Sequence, residues 1–274
     1  MPVQGLRIAW SPTLGYAKPT AEVRMITETA VRRFEDLGCS IELVENVIDD
    51  PIDLWMADFY AGIGVTLKDD LQHRRDLLDP ALAEVLQGRL HESVDAYYTK
   101  VFSRYRLREK VRQLFQRYDL LLTPTLPVSS VDVGMNVPRE LPDRNMVSWS
   151  YYTYPFNLTG NPAASIPCGF DANGMPVGLQ IVAGFNREAD ILRAAASFEV
   201  SSPWVDTYPI GRSLIKKISS VERVVYVKKK QKKRRGLVGF LLGNGFDRFR
   251  LRFQFFVNHS FLGRLRPKRF CETD

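Results

Sequence analysis

The sequence predicts a layered α/β fold, and three observations carry that expectation. The chain opens strand, helix, strand; it returns later to a leucine-rich buried strand; and two further apolar segments flank a hairpin turn. From Leu6 to Ser11 a short apolar run leads into Pro12 and Gly15. Val23, Ile26, Ala30, Phe34 and Leu37 then recur at helical spacing before Gly38, which suits a helix terminus. Thr20 is the expected N-cap, with Glu22 in the first turn. Ile41 to Val47 reads as the second strand, with Ile41 and Leu43 on one face.

The region from Pro51 to Tyr118 is predicted helical. Val94, Tyr97, Val101 and Tyr105 form one stripe that Leu107, Val111, Leu114 and Tyr118 continue, so a long helix is expected to lie across the sheet. It delivers the chain into Asp119-Leu-Leu-Leu-Thr-Pro, whose leucines suit a strand covered on both faces and whose Pro124 and Pro127 prevent its extension. After a loop rich in Pro, Asp and Asn, strands are expected at Ala164 to Phe170 and Val177 to Val182, joined by a turn containing Asn173-Gly174. Asn186 is placed to cap a last helix bearing Ile191, Leu192, Ala195 and Phe198.

Charge divides the chain. The formal +7 splits into an acidic body and a tail, residues 207–274, with 18 Lys and Arg against 4 Asp and Glu. The tail includes Lys228 to Arg235 and then alternates Phe and Arg without helical or strand punctuation, so it reads as disordered or as an unselected appendage. Two domains of unequal character follow: 1–206 as a compact portion and 207–274 as a basic tail. If real and exposed, the tail would bind polyanions through salt-sensitive phosphate contacts, the one route to a nucleic-acid partner. Three scattered cysteines make neither a disulfide framework nor a CxxC site, and no signal peptide or membrane-length apolar run stands in the sequence. A reducing, cytoplasmic setting with no membrane partner is the expectation. His73, His91 and His259 are too scattered for a metal centre, and no cofactor is expected.

Four segments resemble the amidase-signature family: Gly5-Leu-Arg-Ile-Ala-Trp-Ser-Pro12, Tyr118 to Pro127, Tyr154-Pro-Phe-Asn-Leu-Thr-Gly-Asn-Pro-Ala-Ala-Ser-Ile-Pro-Cys-Gly-Phe170, and Gly174-Met-Pro-Val-Gly-Leu-Gln-Ile-Val-Ala-Gly184. Their order and spacing match the second half of such an enzyme and span about three quarters of the chain. The resemblance implies an α/β/α domain around a large mixed sheet, of which this chain holds part. It also implies carboxamide hydrolysis by a Ser, cis-Ser, Lys triad, in which a neutral lysine takes a proton through the bridging serine while the second serine attacks the carbonyl. The family carries that triad in a Gly/Ser-rich stretch ahead of these segments. The serine pairs present here, Ser129-Ser130, Ser201-Ser202 and Ser219-Ser220, lack such a surround, and Ser213-Leu-Ile-Lys216 is too loose a match to replace it.

The expectation is therefore a fragment without catalytic residues and inactive alone, contributing the pocket that takes a small amide. The residues expected to line that pocket are Trp149, Tyr151, Tyr152, Tyr154 and Asn157, which pair aromatic surface with hydrogen-bonding tips. The plainer alternative for the aromatics is core packing, and for Asn157 turn geometry. Ser150 stands where the related amidotransferase chains often carry an acid, which favours a simple amidase ancestry. Cys168 reads as a small residue beside a strand rather than a nucleophile. A fragment of a mixed sheet exposes strand edges, so poor solubility is expected unless it forms a homo-oligomer or pairs with a complementary amidase half. The rival functions are a noncatalytic binding or regulatory protein and a nucleic-acid-associated protein acting through the tail.

Overall fold

The computed structural model describes residues 3–88 and 93–204. The basic tail, His91, His259 and the Ser213 to Lys216 segment lie outside the described residues. Five strands form one mixed sheet in the order β2-β1-β3-β5-β4. They are β1 (Arg7–Trp10), β2 (Ser40–Leu43), β3 (Leu120–Pro124), β4 (Ala163–Phe170) and β5 (Pro176–Ala183). β1 pairs in parallel with β2 and β3, whereas β5 runs antiparallel to both β3 and β4.

The opening strand-helix-strand unit is as expected. Helix α1 (Ala21–Asp36) starts at Thr20, whose hydroxyl accepts from the Val23 amide at 3.3 Å. Its buried face is Val23, Thr27, Ala30, Val31 and Phe34. Phe34 stacks on Phe198 of α7 (Glu188–Ser201) with ring centroids 5.4 Å apart, so these two helices form one layer over the sheet. The Leu120-Leu121-Leu122 run shows why a central strand reads as continuous apolar sequence. All three are fully buried, Leu120 and Leu122 beneath α1 and α7, Leu121 in the opposite core.

That opposite core holds Ala9, Leu121 and Val182 from the sheet, with Leu54 of α2 (Ile52–Phe59), Leu107 and Val111 of α5 (Val94–Arg117), and Phe156 and Leu158 of α6 (Tyr154–Thr159). Two short helices, α3 (Lys68–His73) and α4 (Pro80–Gln87), make a satellite cluster through Leu71, Ala83 and Leu86. The hairpin falls where expected: Gly174 takes φ +77 and Asp171 receives the amides of Asn173 at 2.9 Å and Met175 at 2.7 Å.

Three local expectations need correction. The stripe assigned to the first half of α5 is not a buried one, since Val94 and Tyr105 are 72% and 66% exposed. The reason is length. Twenty-four helical residues run about 36 Å, while a strand of five spans about 17 Å, so the sheet covers only the half carrying Leu107 and Val111. Strand β2 is four residues long and at the sheet edge, which leaves Leu43 55% exposed. Helix α7 begins at Glu188, two residues after Asn186, which itself sits in the left-handed region at φ 59.

Candidate functional site

Parallel strands β1, β2 and β3 all point their C-terminal ends the same way, and the loops that follow them meet at one end of the sheet. In open α/β sheets this is where ligands bind, because the loops converge on a crevice that no strand fills. From the loop after β1 comes Tyr16, from the loop after β2 comes Asp50, from the long loop after β3 come Arg144, Trp149, Tyr151 and Tyr152, and from the start of α6 comes Tyr154. Their contacts form a continuous polar network. The Tyr154 hydroxyl donates to Asp50 Oδ1 at 2.6 Å, and Arg144 Nη2 donates to Asp50 Oδ2 at 2.9 Å. The Arg144 guanidinium lies 4.5 Å over the Tyr151 ring, and the Tyr16 hydroxyl donates to the Tyr151 carbonyl at 2.7 Å. Trp55 of α2 stacks on Tyr154 with centroids 5.7 Å apart and donates its indole N–H to the Val147 carbonyl at 2.7 Å.

A second tier lies beneath. Tyr152 is fully buried, with its hydroxyl on the Pro12 carbonyl at 2.6 Å. The Gln180 amide of β5 donates to Thr123 Oγ1 at 2.9 Å and to the Tyr152 carbonyl at 2.8 Å, tying the loop to the sheet. Burial pushes the Tyr16, Tyr152 and Tyr154 hydroxyls well above the ordinary phenol range, and at Tyr154 the Asp50 carboxylate adds to the effect. All three stay protonated near neutral pH. They serve as donors and cannot act as bases.

Beside this network opens a cleft of about 460 Å³ whose wall includes Met56, Val85, Val137, Arg144, Asn145 and Met146. Of the five residues expected from sequence, Tyr151, Tyr152 and Tyr154 are brought together but face the interior; Trp149 is half-buried at the margin of the same core, and Asn157 is half-buried on α6. None of the five is among the residues that line the cleft. Sequence reading missed Tyr16, Asp50 and Arg144. An arginine inside a Pro- and Asp-rich loop was the available signal, but its partner stands 94 positions earlier.

Three serine hydroxyls are tied into local structure: Ser129 donates to Asp171 Oδ2 at 2.5 Å, Ser165 shares a 2.7 Å bond with Thr125, and Ser11 accepts from the Leu14 amide. Cys168 donates its thiol to the Val177 carbonyl at 3.3 Å, and burial pushes that thiol up to about 12, which suits a structural residue. His73 is exposed on α3, and no group of three or more His, Cys, Asp or Glu that could hold a metal occurs among the described residues.

The four sequence segments agree with one family comparison, in which the Amidase family model matches residues 2–192. The chain belongs to the amidase family. Among its curated amidase relatives, an acylamidase of Rhodococcus erythropolis is 32% identical over 217 residues, covering 76% of this chain and 44% of the relative. A chain of the glutamyl-tRNA(Gln) amidotransferase of Thermosynechococcus vestitus is 34% identical over 199 residues, 72% of this chain and 38% of the relative. This chain thus spans less than half the length of these proteins. A bacterial aryl acylamidase structure of the amidase-signature family superposes with a TM-score of 0.67 at 24% identity, covering 76% of this chain and 46% of that one, and confirms the α/β fold. No helix among the described residues is long and apolar enough to cross a membrane.

Proposed function

We propose that this chain supplies the substrate side of a carboxamide C–N hydrolase and does not turn over amides alone. The observation that carries the reading is the family match across residues 2–192 combined with serines held in structural bonds. Those serines lack the serine-lysine arrangement that the family chemistry requires: Ser129 faces a carboxylate, which cannot serve as the neutral lysine does. In this reading the Ser, cis-Ser, Lys loop comes from polypeptide outside these 274 residues. The tyrosine network holds the end-of-sheet loops in register, so that an amide is presented to that loop with its carbonyl oriented.

Pairing with another polypeptide follows from the same reading. Strand β4 is the last in the sheet, with no strand on its outer side among the described residues. Several relatives are themselves named as one component of an amidotransferase. A complementary amidase half, or a second copy of this chain, would cover that edge, and a small amide would be the ligand. A cytoplasmic setting is consistent with Cys39 and Cys168, both free thiols. Action on nucleic acid through the basic tail is the lesser reading, since no feature of the described residues supports it.

The test is hydrolysis of acetanilide and benzamide by the purified 274-residue chain, read as released aniline or ammonia. The expected result is no release above buffer, with activity appearing on addition of the N-terminal half of an amidase relative. Turnover by the chain alone that follows it through successive columns overturns the inactive-alone reading. Failure of complementation by any such half removes the amide-hydrolase reading itself.

A further inference from the structure

Helix α5 carries two apolar stripes that point in opposite directions. Leu107 and Val111 are buried in the core on one side. Val94, Tyr98, Phe102 and Tyr105 follow one another at spacings of four, four and three and stand exposed. Leu107 comes nine residues after Tyr98, about two and a half helical turns, and so faces the other way. Single exposed apolar residues are ordinary on a protein surface, whereas a continuous stripe marks a face that another surface covers. The stripe is also held ready. The Tyr98 ring lies 5.5 Å from that of Tyr97 and 5.8 Å from that of Phe102, centroid to centroid. The helix itself is fastened by Arg104 to Asp58, by Lys110 to Asp49 at 2.5 Å, and by Arg108 Nε, which donates to the Thr159 carbonyl at 3.1 Å.

Two charges beside the stripe decide what covers it. Asp95 and Arg106 are exposed, and neither forms an ion pair among the described residues. They stand eleven residues apart, about three turns, so both lie on the same flank of the stripe. When two copies of a helix pack antiparallel about a twofold axis perpendicular to both, each flank meets its own copy. Asp95 then faces the partner's Arg106, and by symmetry the pair forms twice. The same register sets Tyr105 at the level between the partner's Val94 and Tyr98 and brings the two Phe102 rings close to the axis. Parallel pairing sets opposite flanks together and leaves both charges unmatched. The face is complementary to itself turned end for end, which fits a second copy of this chain and is not called for by a polypeptide of different sequence.

We propose that two copies of this chain pair through α5, antiparallel about a twofold axis, with Tyr98, Phe102 and Tyr105 in the shared face and an Asp95–Arg106 pair at each end. The stripe from Val94 to Tyr105 is about 17 Å long. One pair of helix faces of that length covers less than the roughly 800 Å² per partner of a stable interface. The pairing is therefore weak, with monomer prevailing at about 1 μM and half association falling between about 20 and 200 μM.

Sedimentation equilibrium of the full chain from about 1 to 300 μM tests this. Asp95→Arg and Arg106→Asp each set like charges face to face at both ends and should weaken the dimer about tenfold or more. Mixed in equal amounts, the two single variants should recover wild-type affinity to within about threefold, because in the mixed dimer every introduced charge meets its opposite. Both positions are exposed, and circular dichroism checks that the variants keep the fold. Damage confined to the monomer is not rescued by mixing. Three results overturn the proposal. They are a monomer throughout the range, single variants that associate as tightly as wild type, which assigns association to a strand edge or the tail, and a mixture no tighter than the variants apart, which leaves the face to a different polypeptide.

Discussion

At the scale of single residues, carboxylates in this chain organise backbone and loops as much as they carry charge. Asp171 accepts the Ser129 hydroxyl and the amides of Met175 and Asn173, and these bonds, the serine's first, hold its carboxyl below the usual range. A folded-state value depressed in this way contributes stability that is present above the unfolded carboxylate pKa of about 4 and is lost as pH falls through the folded value. Asp171→Asn should therefore flatten the acid limb of the thermal midpoint below about pH 4 while leaving the neutral-pH unfolding curve cooperative. An acid limb identical to wild type would show that the hairpin does not depend on the ionised form. Asp171-Ala-Asn-Gly was legible as a turn because its chemistry is local. Asp50 was not legible as a site residue, because its worth comes from Tyr154 and Arg144, 104 and 94 positions away.

Among the elements, α1 and α5 carry opposite lessons. The apolar spacing of α1 matched its buried face because a complete layer, sheet below and α7 beside it, covers the helix. Phe34, fully buried and stacked on Phe198, should cost about 3–5 kcal/mol on replacement by alanine, measured by urea denaturation. Helix α5 shows similar spacing, yet Val94 and Tyr105 of its stripe stand 72% and 66% exposed, and off the stripe Tyr98 and Phe102 stand 49% and 57% exposed with their rings 5.8 Å apart. Phe102→Ser should therefore change stability by no more than about 0.5 kcal/mol. A large loss there would mean that the face is covered in solution. Periodicity reports which side of a helix is apolar, not how far along it a covering layer extends.

For the molecule as a whole, the described residues leave uncovered the short edge strand β2, the aromatic face of α5 and the outer edge of β4. Pro167 and the register shift between Pro167 and Gly169 interrupt that edge, which limits but does not abolish its capacity to pair. Sedimentation velocity should show self-association that grows with concentration. A double change of Tyr98→Lys and Phe102→Glu should reduce it by placing charge on the exposed face of α5. A monodisperse, cooperatively melting wild-type monomer across the same range would contradict this and weaken the case for a partner half.

What the sequence determined by itself was what local chemistry and chain order encode: the opening strand-helix-strand unit, the leucine strand, the hairpin and the amidase-family membership. Each of these depends on residues within a turn, a helix or a short strand, or on the order of four segments. Tertiary structure decided which aromatics went into the interior and which residues line the cleft. Tyr151, Tyr152 and Tyr154 turned inward, the last two with hydroxyls on Pro12 and Asp50, and the adjoining cleft is lined by other residues, Glu84, Val137, Arg144 and Asn145 among them. Those partners belong to loops that only the parallel strands bring to one end of the sheet, and no spacing within a single segment records that meeting.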